Sequence, residues 1–215
     1  MGRDIERQKF MGRVSDAKKN LMDAVLELIW TCSYGSTTID QICEKAGVKK
    51  GSFYYFFDSK AQLAGEAFDD SWLARRIELD AIFSATVPPL ERLKKYCQFA
   101  YDVQSEIKAK YGRVLGCPQF SLGCEVCTQE NVLQQKVEKM LDYKRKYIES
   151  AIRDAHASGV VDAPDPGSKA RMIMAYYEGL LSQARIQNDV EVLRDSFLGV
   201  YAILGVKEVK EAAAV

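Results

Sequence analysis

Residues 37–63 read TTIDQICEKAGVKKGSFYYFFDSKAQL, and this order of residue types predicts two short helices joined by a tight turn. Thr38 and Gln41 have the spacing of a capping box, in which a hydroxyl and an amide satisfy backbone groups at the start of a helix. Apolar residues then recur at helical spacing until Gly47, where a left-handed residue would end the helix. The second helix is predicted to run from about Lys50 to Phe57.

The second predicted helix has two chemically different faces. At about 100° per residue, three aromatic rings fall on one arc, and a cation, a glycine and two phenols fall on the other. Lysine neutralises phosphate, tyrosine hydroxyls bind phosphate oxygens, and glycine permits close backbone approach. The outward arc therefore predicts a DNA-binding surface, with an aromatic core segment as the alternative. The rings are Phe53, Phe56 and Phe57, and the outward residues are Lys50, Gly51, Tyr54 and Tyr55.

Several motifs of this stretch occur together: Thr37-Thr38, Ala46-Gly47-Val48, the run from Lys50 to Phe57, and Ser59-Lys60 followed by Leu63. At these residues, over roughly the first third of its length, the chain resembles the TetR family of one-component transcriptional regulators. The resemblance implies groove or base contacts from residues 50–52 and phosphate contacts from two tyrosines and a lysine. The predicted DNA-binding residues are Thr38, Lys49, Lys50, Gly51, Ser52, Tyr54, Tyr55 and Lys60.

Two positions depart from the family pattern. Lys49 stands where the family usually has a serine that caps the reading helix, so the cap is weaker or is supplied otherwise, and one positive charge is gained. Phe56 stands where His or Tyr is common, which removes one possible backbone contact. Both changes concern the choice of operator sequence rather than the class of protein.

The chain as a whole carries no charge that would draw it to nucleic acid. Its 215 residues include 30 Lys and Arg against 30 Asp and Glu, so the formal net charge is zero. From Lys45 to Lys60, however, four lysines stand against Asp58 alone, a local charge of +3. DNA binding must therefore depend on this patch and on pairing two such patches in a dimer.

The cysteines and the first residues bear on location. No window of about 18 uninterrupted apolar residues is present, and the start, MGRDIERQKFMGR, has no signal-peptide hydrophobic region. We therefore expect a cytoplasmic protein whose six cysteines are mostly reduced thiols, with no metal or other cofactor. A thiol-based alternative remains: Cys124 and Cys127 share a helix face, and Cys117 could complete a soft-metal or oxidant-sensing site with them.

Helical periodicity continues through the rest of the chain and predicts an all-α fold of about nine helices without strands. A basic N-terminal arm precedes a first helix from Ser15, and residues 1–59 form a helix-turn-helix DNA-binding domain. Residues 60–215 form a helical effector-binding and dimerisation domain. A long helix from about Lys60 to Phe83 would link the two as a lever, and the last helix would span Val190–Leu204.

The last two helices are predicted to form a dimer interface. Ala175, Gly179 and Ser182 are small enough for close approach of another helix. One reading helix spans too little DNA for useful specificity, and a two-fold dimer removes this limit. The family resemblance implies a four-helix interface here, with an ordinary internal core as the alternative. The predicted interface residues are Met172, Tyr176, Gly179, Leu180, Gln183, Leu193, Phe197 and Tyr201.

We call the predicted two-helix DNA-binding unit, residues 37–63, the reader. Many aromatic rings lie between the reader and the predicted interface, and helical domains of this kind can enclose an apolar pocket in which a few hydroxyls orient the ligand. Each ring taken singly is more often simple packing. The stretch from Gly116 to Glu125 resembles a segment found near the effector pocket of some TetR-type regulators. The predicted pocket residues are Trp72, Phe99, Cys117, Phe120, Tyr143, Tyr147 and Tyr177.

Together these features predict a homodimeric TetR-type regulator, a repressor released from a palindromic operator by a small molecule. An enzyme is the competing class, a helical enzyme with a DNA-binding head. The single histidine, His156, has no evident nucleophile partner, and no glycine-rich phosphate loop is present, so no catalytic residue is predicted. A purely architectural DNA-binding protein is the other rival, but it would not need the large aromatic body.

Overall fold

The computed structural model describes residues 2–126 and 130–206, with side chains from residue 16 onward. Within these ranges the chain forms nine α-helices and one 3₁₀ turn, without strands, which confirms the predicted fold class. The helices are α1 (Gly2–Thr31), α2 (Ile39–Ala46), α3 (Lys50–Phe56), α4 (Lys60–Ile82), α5 (Pro89–Tyr111), α6 (Pro118–Val126), α7 (Asn131–Ala157), α8 (Pro166–Gln187) and α9 (Ser196–Leu204), and the 3₁₀ turn is Val190–Leu193. None of the helices in the described ranges is long and apolar enough to cross a bilayer.

Two predicted boundaries are wrong. The first helix begins at Gly2 rather than near Ser15, so the predicted arm is helical; its Arg, Glu, Gln and Lys residues are all good helix formers. The last predicted helix is two elements, because Asp195 takes a left-handed conformation at φ 56° and interrupts the helical hydrogen bonding between the 3₁₀ turn and α9. No glycine or proline marks that break in the sequence.

The chain divides into two compact units. The first unit comprises Met1–Arg75 and Pro118–Met140, and the second comprises Arg76–Cys117 and Leu141–Val215. The first unit therefore contains α6 and the beginning of α7 in addition to the helix-turn-helix. The predicted domain boundary between residues 59 and 60 lies inside this first unit.

The core of the first unit is built from α1, α2 and α3, which pack against one another. Leu21, Ile42 and Phe53 are fully buried there, and Phe57 is 1% exposed. Burying side chains of this size stabilises a fold by roughly 1.5–3 kcal/mol each. The two phenylalanines of the inward arc thus fix the orientation of α3, whereas Phe56 is only half-buried.

The second unit is organised around α8, which packs against the 3₁₀ turn and α9, and α5 contacts the same two elements. Ile173, Tyr177 and Leu181 follow the helical period of α8 and are buried. α9 approaches α8 closely, since a Cβ at Gly199 would collide with the end of the Tyr176 side chain. Substitution of this glycine is therefore expected to displace the Tyr176 ring.

Candidate DNA-binding surface and a buried polar cluster

The two-helix reader has the predicted local geometry. The Gln41 N–H donates to the Thr38 hydroxyl at 3.2 Å, and the Thr38 N–H donates to Gln41 Oε1 at 2.8 Å, which completes the capping box. Gly47 ends α2 in the left-handed region at φ 66°, ψ 30°. Lys49 is the N-cap of α3 and makes no side-chain cap hydrogen bond, consistent with the missing serine. The capping and turn predictions are confirmed.

α3 presents the predicted outward face. Tyr54 and Tyr55 are 55% and 72% exposed, while Phe53 on the opposite face is completely buried. The Phe53 and Tyr54 rings meet edge to face at 5.1 Å, so the core ring supports the exposed one. Gly51 is exposed and Ser52 is half-buried beside them. The exposed Tyr54 and Tyr55 hydroxyls are hydrogen-bond donors, which suits contacts to phosphate oxygens.

The basic patch is less positive than the sequence window indicates. The Lys50 ammonium pairs with Asp40 at 2.7 Å, and the Asp40 hydrogen bond raises the pKa of Lys50. Lys45 pairs with Glu27 at 2.8 Å. Neither Asp40 nor Glu27 was included in the charge of +3, which was counted from Lys45 to Lys60. While these two ion pairs remain formed, the positive charge available to phosphate is therefore smaller than +3.

Lys60 is used inside the unit. Its ammonium donates to the backbone oxygens of Tyr34 at 2.7 Å and Thr37 at 2.8 Å, and it lies 4.1 Å from the centre of the Tyr34 ring. Burial lowers the pKa of Lys60, against the opposing effect of Glu125 and Glu130. Of the predicted DNA-binding residues, Lys60 is therefore the least available to a phosphate.

Glu125 of α6 binds the chain between α1 and α2. Its carboxylate accepts from the Tyr34 N–H at 2.9 Å and from the Gly35 N–H at 2.5 Å. A Cβ at Gly35 would lie 2.9 Å from Glu125 Oε1, so this approach favours glycine. Tyr34 also donates to Glu130 at 3.4 Å, and burial followed by the charges of Glu130 and Glu125 raises its pKa to about 12. α6 is thus fastened directly to the reader.

In the second unit, a buried glutamine shapes the segment that leads to Cys117. Gln104 Oε1 accepts from the N–H groups of Leu115 at 3.1 Å and Gly116 at 2.9 Å, and its amide donates to Gly116 O at 3.1 Å. Gly116 has φ 68°, and a Cβ there would meet Leu181 O at 3.3 Å. Asn188 Oδ1 accepts from Val114 N at 2.9 Å. These contacts fix the position of the Cys117 thiol against α8.

A cluster of polar side chains lies behind this segment, and all of them are buried except Lys144, which is half-buried. The Lys144 ammonium donates to the Cys117 sulfur at 3.4 Å. Glu178 of α8 is 3% exposed, and neither of its carboxylate oxygens has a hydrogen-bond partner within the described part of the chain. The Tyr96 and Tyr177 rings stack nearby, with centroids 4.7 Å apart. We call Tyr96, Cys117, Lys144, Tyr177 and Glu178 the buried cluster.

The protonation of the buried cluster is governed by burial and by its two opposite charges. Burial raises the pKa of Glu178; the Lys144 charge and the nearby Cys117 thiol lower it less. For Lys144, burial opposes the ammonium, but Cys117, Tyr96 and Glu178 outweigh it and raise the pKa. Burial also raises the pKa of both tyrosines.

The predicted effector residues are divided between the units. Trp72 and Phe120 belong to the first unit, and the other five belong to the second. The structure brings Cys117 and Tyr177 together in the buried cluster. Tyr147 instead donates to Asp80, and Tyr143 lies beneath Lys146, with the ammonium 5.8 Å from the ring centre. Phe99 is half-buried on α5.

The structure describes two of the three cysteines of the alternative thiol site. Cys117 is buried in the second unit, Cys124 is exposed in the first, and Cys127 lies outside the described residues. The five described cysteines are thiols rather than disulfides. Among the described residues, no group of three His, Cys, Asp or Glu side chains could hold a metal ion.

The predicted interface residues differ in exposure. Met172 is 50% exposed, Gln183 is exposed, and space is open around Gly179. Leu193 is 2% exposed and so packs inside the second unit, where it cannot present surface to a partner. Tyr176 donates to Ser196 O at 3.2 Å, which ties α8 to α9. Leu180, Phe197 and Tyr201 are half-buried.

Sequence reasoning missed Glu178 and Lys144, although a signal was present. Glu178 is the only acid in α8 and lies within an apolar run. Lys144 occupies a helical position between Met140 and Ile148, both buried. A charged residue on the apolar face of a helix indicates either a buried ion pair or a ligand site. A search for such residues would have identified both Glu178 and Lys144.

Comparison with known proteins agrees with this architecture. Residues 21–67 match the family described as bacterial regulatory proteins, tetR family, and residues 89–197 match the tetracyclin repressor-like C-terminal domain. The transcriptional regulator AcuR of Cereibacter sphaeroides is 28% identical over 174 residues, which are 80% of this chain and 77% of that protein. The HTH-type transcriptional repressor DhaR of Mycobacterium sp. is 26% identical over 188 residues, 85% and 89% of the two chains.

Solved structures share the fold. The crystal structure of a regulatory protein TetR from Rhodobacter sphaeroides superposes with a TM-score of 0.77 at 25% identity, covering 87% of this chain and 98% of that one. The two matched families together cover both the reader and most of the remaining helices. The chain therefore belongs to the TetR family and is a DNA-binding transcriptional regulator.

Proposed function

We propose that this regulator is a cytoplasmic homodimer that represses transcription and leaves a palindromic operator when a small molecule binds. Each subunit inserts α3 into a major groove, and the two helices are spaced ~34–36 Å apart, one turn of the duplex. The observation that carries the proposal is the division of α3 into a buried phenylalanine face and an exposed tyrosine face. That division supports phosphate contacts from Tyr54 and Tyr55, and Lys49, just before α3, is also exposed.

Dimerisation through α8 and α9 is supported by apolar surface that the subunit leaves uncovered. Met172, Ile186 and Leu198 are 50%, 82% and 53% exposed, an arrangement typical of a surface covered by a partner. Gly179 offers room for a second helix. The proposed surface omits Leu193, which is buried inside the subunit.

Release from DNA requires that the effector bind two conformational states with different affinity. In our proposal, an effector bound in the second unit favours another tilt of α4, whose chain runs through both units. α6 takes part because Glu125 fastens it to the Tyr34–Gly35 backbone just before the reader. A shift of α6 would thereby move or loosen α2 and α3.

The test combines assembly with DNA binding. Light scattering should give a dimer at micromolar concentration, and fluorescence anisotropy should show binding to promoter DNA that flanks the gene. A Tyr55→Phe variant should bind more weakly and keep its dimeric state, because it loses one phosphate hydrogen bond and no core contact. A monomer, or equal affinity for promoter and random DNA, would contradict the proposal.

A second candidate input is chemical modification of Cys117. The Lys144 ammonium donates to the Cys117 sulfur at 3.4 Å, and a neighbouring cation is typical of reactive cysteines. Cys97 is a suitable internal comparison, because burial raises its pKa to about 11. Alkylation by iodoacetamide followed by peptide mass spectrometry should label Cys117 faster than Cys97. Equal rates would remove this candidate.

A further inference from the structure

The buried cluster contains a carboxyl group that the subunit leaves unsatisfied. Glu178 is 3% exposed, and both carboxylate oxygens lack a hydrogen-bond partner among the described residues. A buried polar group without a partner costs roughly 1–3 kcal/mol, and more when it is charged. Burial of a glutamate without such a bond indicates a missing partner or a functional role.

The nearest cation does not supply the missing bond. Lys144 is close enough for its charge to act on Glu178, yet its ammonium donates to the Cys117 sulfur at 3.4 Å. Cys117 is held there by the Gln104 hydrogen bonds to Leu115 and Gly116. The cluster therefore has a positive and a negative group side by side, with the acceptor atoms of the negative one unused.

The charges indicate which ligand would fit. A cationic ligand would be attracted by Glu178 but repelled by Lys144, and an anionic ligand would be attracted by Lys144 but repelled by Glu178. A neutral group that donates a hydrogen bond is repelled by neither. The stacked Tyr96 and Tyr177 rings and the nearby Phe83 ring, 5.5 Å from Tyr96, favour an apolar body on the same molecule.

We propose that Glu178 anchors the effector, and that the effector is a neutral compound with a hydroxyl or amide N–H on an apolar body. Its donor binds the Glu178 carboxylate, and its body packs on the tyrosine pair. This inference rests on the proposed function, since it names the chemistry of the molecule that releases the regulator from DNA.

Three compounds with the same body test the proposal: benzyl alcohol, benzyl methyl ether and benzylamine. Calorimetry and thermal shift on the full chain should show the alcohol binding best, because the ether has no donor and the amine is cationic. Glu178→Leu should weaken alcohol binding by about tenfold or more, which corresponds to ~1.4 kcal/mol. Glu178→Gln keeps one acceptor oxygen and should lie between the two.

Two further variants control the experiment. Glu106→Gln changes an exposed acid of α5 and should bind the alcohol as the wild type does. Lys144→Met should improve benzylamine binding, because it removes the repelling charge. Circular dichroism confirms that each variant is folded.

The outcomes separate this inference from the proposed function. Equal binding of alcohol and ether, including no binding of either, overturns the inference, as does an unchanged alcohol affinity in both Glu178 variants. Promoter binding is measured in parallel without ligand. If the protein binds its promoter as a dimer while the compounds show no donor dependence, the inference fails and the proposed function stands. If promoter binding is absent but donor dependence is seen, the proposed function fails, and Glu178 stands only as the anchor of a ligand of that chemistry.

Discussion

Glu125 in the first unit and Glu178 in the second are both helical glutamates, but their carboxylates differ in hydrogen bonding. Glu125 is half-buried and accepts from two backbone N–H groups. Glu178 is buried more completely and accepts from none of the described residues. A satisfied carboxylate holds a structure together, whereas an unsatisfied one costs stability and remains available to a ligand. In our proposal, Glu125 therefore fixes the geometry of the first unit, and Glu178 is the group of the second unit that binds a ligand.

The same contrast extends to the lysines. Lys60 donates to two backbone oxygens and fastens the segment before α2. Lys144 donates to a thiol, a weaker acceptor, inside a cluster of titratable groups. The Lys60 ammonium thus binds the backbone, whereas the Lys144 ammonium binds a side chain.

The largest effect is expected from Glu125→Gln. The substitution leaves one acceptor for two N–H donors and places an amide against the other, which should cost about 2 kcal/mol. For a chain of this size the melting temperature should fall by about 4–8 °C. Differential scanning calorimetry measures this, with Glu130→Gln as the control, because the Glu130 carboxylate accepts a longer hydrogen bond, from the Tyr34 hydroxyl at 3.4 Å. Equal losses in the two variants would show that Glu125 has no special part.

Lys60→Met should have the next largest effect. It removes two charge-assisted hydrogen bonds and leaves the carbonyls of Tyr34 and Thr37 without their donor, so we expect about 1.5–2 kcal/mol of destabilisation by urea titration. If the Lys60 ammonium binds only within the first unit, the substitution leaves the salt dependence of DNA affinity unchanged. A slope of log affinity against log salt concentration that is smaller by about one would instead show that Lys60 contacts phosphate.

Glu178→Gln should stabilise the protein, in a pH-dependent way. Burial raises the pKa of Glu178 above its ordinary 4.5, so the folded state binds the proton more tightly than the unfolded state does. Wild-type stability is then lost as the pH rises above 4.5 through the folded pKa, and the glutamine variant does not suffer this loss. Thermal melts should show little difference near pH 4.5 and an advantage of about 2–4 °C for the variant at pH 8. A variant less stable at pH 8 would mean that Lys144 depends on the carboxylate.

The smallest effect is expected from Asp40→Asn, at the exposed reader surface. The substitution releases Lys50 from its ion pair and removes one negative charge near the DNA. Affinity for DNA should rise severalfold at low salt, with a salt slope larger by about one. Anisotropy titrations at several salt concentrations measure both. An unchanged slope would show that Lys50 does not reach phosphate in either form.

The local features of the reader were predictable from the sequence, because each is a contact between near neighbours. The Thr38–Gln41 capping box and the Gly47 turn follow from residue type and spacing within ten positions. α5 begins at Pro89 and ends at Tyr111 as the proline and glycine signals indicate. The break before α9 was not predicted, because Asp195 adopts a left-handed conformation and no glycine or proline marks that position in the sequence.

The contacts that assign function were less accessible to sequence reasoning. Glu125 and Tyr34 are 91 positions apart, and only folding brings them together. The Cys117 sulfur and Lys144 ammonium also meet through the fold, across 27 positions. Glu178 could be suspected from its apolar surroundings, but its lack of a partner is a property of three dimensions. For that reason the predicted effector set included Cys117 and Tyr177 but not the two charged residues beside them.

Promoter affinity in the absence of ligand tests the central contrast most directly. Fluorescence anisotropy would compare the wild type, Glu125→Gln and Glu178→Leu on the promoter DNA that flanks the gene. The account predicts that Glu125→Gln weakens binding by about tenfold or more, about 1.4 kcal/mol, and that Glu178→Leu binds as the wild type does. Weakened binding by Glu178→Leu together with unchanged binding by Glu125→Gln would contradict it.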